Sequence, residues 1–137
     1  MKREIICTDL NGNKQSAYYN IKKIITDEGI KKLEFRTYME NDKLNEWFDF
    51  KVALLGNDII KVTDMFVGKQ EHRKKGIPEA LILELKRLFN KKIISSSNSK
   101  PIIDNEWRKP SATKVWQRLV IQNRAKYDSY NDVFELI

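Results

Sequence analysis

A cluster of cations lies around a glycine and a proline in the middle of the chain. The segment from Arg73 to Pro78 reads Arg-Lys-Lys-Gly-Ile-Pro, between a strand-like run and an apolar helical stripe. A loop between a strand and a helix directs several backbone N–H groups toward one point, and glycine lets a ligand approach the backbone. The start of a helix carries partial positive charge, so cations gathered there are best explained by a bound anion. The segment therefore predicts a phosphate-binding loop, with a solvated basic loop as the alternative.

The surplus of positive charge is concentrated in the same part of the chain. The 137 residues include 26 basic and 19 acidic residues, which gives a net charge of +7. Residues 69–92 hold eight basic and three acidic residues, whereas residues 1–68 hold eleven of each. Cations near the end of the predicted helix, such as Lys86 and Arg87, suit the negative end of its dipole and need no partner. Only the earlier cations point to a ligand.

Few other residues have the chemistry for a site. Asp64 lies on a strand-like run and, with regular alternation, shares a face with Val62 and Phe66. An acid in that setting is a candidate general base, and a partnered or exposed strand residue is the alternative. His72 is the only histidine and Cys7 the only cysteine, which argues against a two-histidine metal site and excludes an internal disulfide. We interpret His72 as a loop residue and Cys7 as a small buried hydrophobe.

These residues need a sheet to position them, and the first half of the chain has the period-two alternation of strands. The pair Asn11-Gly12 predicts a tight hairpin. Residues 15–25 are ambiguous, because Tyr18 and Ile21 have helical spacing while Ala17 and its neighbours suit a strand. The remaining pattern is typical of an antiparallel meander. Its predicted strands cover residues 4–8, 30–39, 47–54 and 59–67.

The second half of the chain has helical periodicity. Pro78 suits the first position of a helix, and an apolar stripe follows from Leu81 to Phe89. A short strand at residues 92–97 comes next, then a long polar loop, a helix that Ser111 can cap, and a final hairpin over residues 125–137. This order predicts an α+β fold in which the first helix steps from one strand of the sheet to the next.

Length and composition limit the classes of protein. With 41% hydrophobic residues, 33% charged residues and only three prolines, disorder and low-complexity classes fit poorly. No apolar run is long enough to span a membrane, and the first residues lack a secretory pattern. We therefore expect a single domain over residues 1–137, a cytoplasmic location and no membrane partner.

The phosphate-binding loop and its surroundings resemble the GNAT family of N-acetyltransferases over about residues 58–137. The acyl-coenzyme A loop of that family reads Arg/Gln-x-x-Gly-x-Gly/Ala between its fourth strand and a long helix, and Arg73 to Pro78 matches all but the last position. Downstream, Ser97-Asn98 looks like the family's cofactor-contacting serine or asparagine after a short strand. Residues 112–119 resemble a helix of the type Ala-x-x-Phe-Tyr-x-x-Leu, and the expected terminal hairpin follows.

The resemblance implies a mixed, mainly antiparallel central sheet with two main helices after the fourth strand and a C-terminal β-hairpin. It implies acetyl-coenzyme A as the acyl donor and an amine acceptor that attacks the thioester directly. A carboxylate on the fourth strand, here Asp64, is the implied general base. The residues implied to contact the cofactor are Met65, Phe66, Val67, Arg73, Lys74, Lys75, Gly76, Ile77, Ser97 and Asn98.

The sequence departs from the family pattern in three places. Pro78 stands where glycine or alanine is usual and removes one N–H from the helix entrance. Five residues separate Val67 from Arg73, slightly more than usual. Trp116 stands at the family's frequent tyrosine, which reprotonates the coenzyme thiolate, and indole has no usable acidity near neutral pH. Water or another phenol would then supply that proton, and Tyr127 and Tyr130 are the nearby phenols in sequence.

A catalytically inactive GNAT-like module that binds nucleic acid or a protein is the competing hypothesis. Its support is a sequence pI of about 9.4, the basic segment and aromatic residues that stack on bases in other proteins, here Tyr38, Trp47 and Trp107. No recognised nucleic-acid motif accompanies them, so this partner is not favoured. The acceptor amine is not identified, although the polar loop from Ser99 to Lys109 is where we expect it to be selected. A homodimer is compatible with the sequence.

Overall fold

Alternating apolar and polar residues form the first five strands of one sheet. The computed structural model describes residues 3–98 and 107–137. The strands follow one another in chain order as the predicted antiparallel meander. Their bounds are β1 Arg3–Thr8, β2 Lys14–Ile25, β3 Lys31–Met39, β4 Phe48–Leu55 and β5 Ile59–Phe66.

Residues 15–25, which were ambiguous in sequence, belong to the long strand β2. Ala17 and Tyr19 are fully buried and alternate with more exposed neighbours. β2 pairs with β1 on one side and with β3 on the other, so packing across the sheet decides in favour of the strand. Asn11-Gly12 lies in the β1–β2 turn, with Gly12 at φ 82°, and the predicted hairpin is confirmed. The two main helices consequently follow the fifth strand of this chain; their expected position after the fourth was wrong.

Two helices and three short strands make up the rest of the fold. A short 3-10 helix, Gln70–His72, follows β5. The first main helix carries the chain to a strand that runs parallel to β5, as predicted. The elements are α1 Ile77–Phe89, β6 Lys92–Ser95, α2 Pro110–Ile121, β7 Ala125–Asp128 and β8 Val133–Leu136.

Both main helices begin with a proline in their first two residues. In α1, Gly76 is the N-cap residue and Pro78 is the second helical residue, one place later than predicted. In α2, Lys109 is the N-cap residue and Pro110 the first helical residue, so the predicted capping role of Ser111 was wrong. Proline is tolerated at these positions because the first N–H groups of a helix have no partner within it.

The sheet has one apolar face and one charged face. Phe35, Phe50 and Val62 belong to a single buried core that also includes Leu85 of α1 and Trp116 of α2. Because side chains alternate along a strand, the residues between them lie on the opposite face. The strand register places Glu34, Lys51 and Asp64 side by side on that charged face.

The eight strands form one sheet in the order β1-β2-β3-β4-β5-β6-β8-β7. The pairing between β6 and β8 is short, because these two strands share one register pair, Ile94 with Glu135. The Ser95 hydroxyl adds a contact there by accepting a hydrogen bond from the Phe134 N–H at 2.9 Å. The C-terminal hairpin is therefore joined to the main sheet partly by side chains.

Candidate functional site

A narrow cleft opens where β5 and β6 separate. The two strands pair in parallel from Ile59–Lys92 to Val62–Ser95, after which β6 ends and β5 continues to Phe66. Among the described residues, the backbone of residues 63–66 has no partner strand on this side. The cleft encloses about 30 Å³, which is about the space of one water molecule. It is lined by residues 62–66, Ser96, Trp107, Arg108, Lys109, Ser111, Ala112 and Trp116.

Exposed side chains close the outer side of this cleft. The Lys109 ammonium lies 3.9 Å from the centre of the Phe66 ring. Both residues are exposed, as is Trp107 beside them. A cation–π contact at an exposed site contributes only about 0.5–1 kcal/mol. Lys109 can therefore leave Phe66 at a small cost in free energy, which would widen the cleft.

Asp64 lines the cleft, in a setting that differs from the prediction. The β4–β5 register shifts between Lys51 and Val52, so that Lys51 faces Asp64 while Val52 faces Val62. This irregularity leaves Thr63 unpaired and separates Asp64 from the apolar face, so the expected face shared with Val62 was wrong.

The Asp64 carboxylate has polar partners from two strands. Its Oδ2 lies 3.4 Å from the Lys32 ammonium and accepts a hydrogen bond from the Thr63 hydroxyl at 2.9 Å. About a quarter of the side chain is exposed, 27% by area. Asp64 is thus a partly accessible carboxylate beside a cation, on the charged face of the sheet and in a residue that lines the cleft.

The β5–α1 loop, residues 67–76, carries the predicted phosphate-binding residues. Arg73 and Lys74 are exposed and Lys75 is half-buried. Lys74 and Gly76 both have left-handed backbone, with φ of 61° and 78°. Residues 73 and 74 form a turn, and no short hydrogen bond occupies the backbone N–H of residues 74–77 within the described chain. The loop thus presents backbone amides beside three cations, whereas the Ile77 side chain is fully buried in the core.

Gly76 is required for packing as well as for its backbone angle. A Cβ atom at this position would lie 2.1 Å from the Thr8 carbonyl oxygen of β1. The space beside its α-carbon is therefore filled by the protein. The expectation that this glycine leaves room for a ligand was wrong on this side of the residue, and its contribution to a ligand site is limited to its N–H group.

A buried arginine, Arg108, organises the opposite side of the cleft. Its guanidinium donates to the Ser96 carbonyl at 2.9 Å, to the Asp132 carboxylate at 2.7 Å and to the Thr113 hydroxyl at 2.8 Å. It also lies over the Phe134 ring, 5.0 Å from its centre. We call Arg108, Asp132, Ser96 and Thr113 the Arg108 cluster. It joins the end of β6, the start of α2 and the β7–β8 turn.

Electrostatics within the Arg108 cluster favour the charged form of its acid. Burial alone would raise the pKa of Asp132, but hydrogen bonds from Arg108, the Tyr127 hydroxyl and the Asn98 N–H lower it to about 2. The same hydroxyl bond to Asp132 raises the pKa of Tyr127. Tyr127 is consequently a weaker acid than a free phenol, which makes it a poorer source of a proton.

The structure brings only some of the predicted site residues together. Asp64, Met65 and Phe66 line the cleft, and Val67 follows them at its exposed end. Ser97 and Asn98 do not line it; the Ser97 hydroxyl donates to the Asn131 carbonyl and the Asn98 N–H donates to Asp132. The cations at positions 73–75 lie in the loop beyond β5 and do not line the cleft either. The part of the predicted acceptor loop at residues 99–106 lies outside the described residues.

Trp116 occupies the inner wall of the cleft. It is 1% exposed, and its indole stacks on Phe134 at a ring-centre distance of 6.0 Å. It therefore serves as a core residue that also borders the cleft. Tyr130 is 84% exposed and does not line the cleft. A solvent proton source is consequently more accessible to the cleft than either hairpin tyrosine.

Sequence reasoning missed Arg108 and its partners. Arg108, Asp132 and Ser96 are far apart in sequence, and none of them belongs to a periodic apolar pattern. The only local signal is a run of cations, Arg108-Lys109, immediately before a helix start, where cations are unfavourable unless they have a partner.

No family model, curated protein or solved structure matches this chain. Within residues 3–98 and 107–137, no helix has the length and apolarity needed to cross a membrane. Over the same residues, no group of three or more histidine, cysteine or acidic side chains is placed to hold a metal ion. The cleft, the loop and their chemistry are therefore the features that bear on function.

Proposed function

We propose that this protein is an acyl-coenzyme A-dependent N-acyltransferase that transfers an acetyl group to an amine. The observation that carries the proposal is the cleft between β5 and β6, with Asp64 among its lining residues and a cationic loop after the same strand. The elements that follow β5 also come in the order that the GNAT resemblance implies: long helix, parallel strand, second helix and terminal hairpin.

The unpaired edge of β5 suits the extended arm of coenzyme A. Backbone N–H and C=O groups that lack a strand partner need another hydrogen-bonding group when water is excluded. The pantetheine arm carries two amides, so it can take the place of a strand along residues 63–66. Entry requires the Lys109 side chain to leave Phe66, a contact of small free energy.

The β5–α1 loop suits the phosphates of the same ligand. Backbone amides at the end of the loop and the side chains of Arg73, Lys74 and Lys75 supply donors and positive charge. Pro78 removes one further donor, which lowers the affinity for pyrophosphate by roughly 1–3 kcal/mol relative to a residue with an N–H. The Lys and Arg side chains also attract the anionic cofactor from solution.

The reaction needs a proton acceptor and a proton donor. In the proposed mechanism Asp64 takes a proton from the ammonium of the acceptor, directly or through water, and the free amine attacks the thioester carbon. The tetrahedral intermediate then loses the second proton of the nitrogen to water and expels the coenzyme thiolate, forming the amide. Trp116 cannot protonate this thiolate, so that proton reaches the sulfur through water.

Ligand-dependent melting tests the proposal. Acetyl-coenzyme A at ~100 times its dissociation constant stabilises a protein by about 2.7 kcal/mol, which moves the midpoint of a domain of this size by on the order of 10 °C. We expect such a shift at moderate salt and none with short DNA or RNA. A nucleic-acid complex that neutralises ~5 phosphates would instead weaken with a log–log salt slope of about −4 to −5. That result, together with no shift from acetyl-coenzyme A, would identify a binding module.

The role of Asp64 is tested by removing its charge. Asp64→Asn should lower the rate of acyl transfer at least tenfold with little change in cofactor affinity, because Asp64 acts on the acceptor. Asp58→Asn, at an exposed position in the β4–β5 turn, is the matched control and should leave both unchanged. An equal loss of rate and cofactor affinity in Asp64→Asn would remove Asp64 from the role of base.

A further inference from the structure

The only histidine of the chain lies in a buried polar cluster beneath the β5–α1 loop. The His72 side chain is 0% exposed and the Asp42 side chain 1%. His72 Nδ1 accepts a hydrogen bond from the Gly68 N–H at 3.2 Å, and His72 Nε2 lies 2.7 Å from Asp42 Oδ2. The other Asp42 oxygen lies 2.6 Å from the Lys69 ammonium. We call Gly68, Lys69, His72 and Asp42 the His72 cluster.

The contacts of His72 fix its protonation state. A ring nitrogen that accepts an N–H hydrogen bond has a free lone pair, so the hydrogen is on Nε2 and points to Asp42. Burial alone would raise the pKa of Asp42, but hydrogen bonds from Lys69, His72 and the Met39 N–H lower it. Asp42 is therefore charged, and its charge is balanced by Lys69. The imidazole completes the cluster as a neutral group.

Two loops place charged groups beside the ring. The charged groups around the ring are Asp42 from the β3–β4 loop and Lys69 from its own loop. Glu46 lies 3.6 Å from Lys69, and Glu71 also acts on that lysine. On the β4 side the ring packs against Phe48, which carries no charge.

The His72 cluster holds the start of the loop that carries the backbone amides. Gly68 lies so close to the β3–β4 loop that a Cβ atom there would be 2.1 Å from the Trp47 carbonyl oxygen. His72 ends the 3-10 helix immediately before Arg73. At the far end, Gly76 contacts Thr8. The loop is thus fixed at both ends, and the ring of His72 is the fixed point nearest to the cations at positions 73–75.

We propose that His72 is a positioning residue for an anionic ligand of the β5–α1 loop. By accepting the Gly68 N–H at Nδ1 while Nε2 is hydrogen-bonded to Asp42, it holds the start of the loop and thereby keeps the backbone amides of the loop in their binding arrangement. The identity of the ligand as coenzyme A rests on the proposed function, but the effect on the loop does not.

Two substitutions separate the two contacts of the ring. In His72→Asn the side-chain oxygen takes the place of Nδ1 and keeps the acceptor for Gly68, while the contact with Asp42 is lost. In His72→Gln the side-chain amide takes the place of Nε2 and keeps the contact with Asp42, while the acceptor for Gly68 is lost. Both replace a buried ring with a smaller side chain, so a purely structural role would affect both variants alike.

Calorimetry with coenzyme A at pH 8 gives the first measurement. We expect His72→Gln to lose at least tenfold in affinity and His72→Asn to stay within threefold of the natural protein. Equal affinities of the two variants for coenzyme A would contradict this expectation.

Amide hydrogen exchange provides a measurement that needs no ligand. Exchange at Gly68 should be at least tenfold faster in His72→Gln than in His72→Asn. If coenzyme A does not bind but this pattern appears, the proposed function fails while the positioning role of His72 stands. Equal exchange at Gly68 in the two variants would overturn the role.

Discussion

Two buried polar clusters hold the two sides of the cleft, and they use different chemistry. The His72 cluster fixes the loop after β5 through a neutral ring with one donor and one acceptor. The Arg108 cluster fixes the end of β6 through a permanently charged group with five donors. The β6 side is thus held by a charged group that donates to several partners, whereas the β5 side is held by one ring with two hydrogen bonds. Adjustment of the site should therefore occur on the β5 side.

The largest expected effect comes from removing the centre of the Arg108 cluster. Arg108→Ala leaves the Asp132 carboxylate and the Ser96 carbonyl without their partner, which should lower the free energy of unfolding by about 3–5 kcal/mol. Arg118→Ala breaks the Arg118–Glu79 pair, in which the arginine is 37% exposed, and should cost at most about 1 kcal/mol. Urea unfolding measures both. Equal losses would mean that the Arg108 cluster is no stronger than a surface ion pair.

Two glycine substitutions test the contact between Gly76 and Thr8, which holds the end of the β5–α1 loop against β1. Gly76→Ala introduces a left-handed alanine and a collision with Thr8, and should cost about 2–4 kcal/mol. Gly56→Ala introduces a similar backbone angle, φ 64°, at a site with no atom within 4 Å, so only about 1 kcal/mol is expected. Unfolding in urea gives both values. A cost at Gly76 no larger than that at Gly56 would show that β1 yields to the added methyl group.

A smaller effect is expected in the pH dependence of stability, through Asp132 of the Arg108 cluster. The pKa of Asp132 is about 2 in the folded chain and 3.8 in an unfolded one, so its charge stabilises the fold at pH above about 4. This contribution is lost as the pH falls from about 4 to about 2. Stability measured in Asp132→Asn should therefore fall less steeply over that window than in the natural protein. Parallel curves for the two proteins would contradict the lowered pKa.

The smallest expected effect concerns the rim of the Arg108 cluster. The Tyr127 hydroxyl donates to Asp132 at 2.7 Å from an exposed ring. Tyr127→Phe removes this one bond while Arg108 still satisfies the carboxylate, so the free energy of unfolding should fall less than in the other variants. It should also raise the pKa of Asp132, which an NMR titration of the side chain would measure. An unchanged pKa would place the hydroxyl outside the cluster.

Sequence patterns predicted the fold wherever the signal was local. Period-two alternation located β3, β4 and β5, and an apolar stripe located α1, because each depends on residues a few positions apart. β2 was ambiguous since its burial comes from pairing with β1 and β3. The shift beside Thr63 was also unpredicted, and it moved Asp64 to the charged face.

The candidate site was predicted only in part, because its polar contacts join distant segments. The loop cations, Asp64 and the end of β5 came from a local motif. His72 and Asp42 are 30 residues apart, and Arg108 and Asp132 are 24 apart. No spacing rule connects such pairs, and a single histidine in a polar loop has the same sequence signature whether it is buried or exposed.

The single register pair between β6 and β8 has a mechanical consequence. The C-terminal hairpin and α2 are joined to the main sheet by that pair, by the side chains of Ser95 and Arg108 and by packing on the shared core, rather than by a long ladder. Under force applied at Ile137, we expect this unit to detach before the five-stranded meander yields, as one cooperative step. Detachment would separate Trp116 from Met65 and open the cleft to solvent, while most of the fold would remain intact.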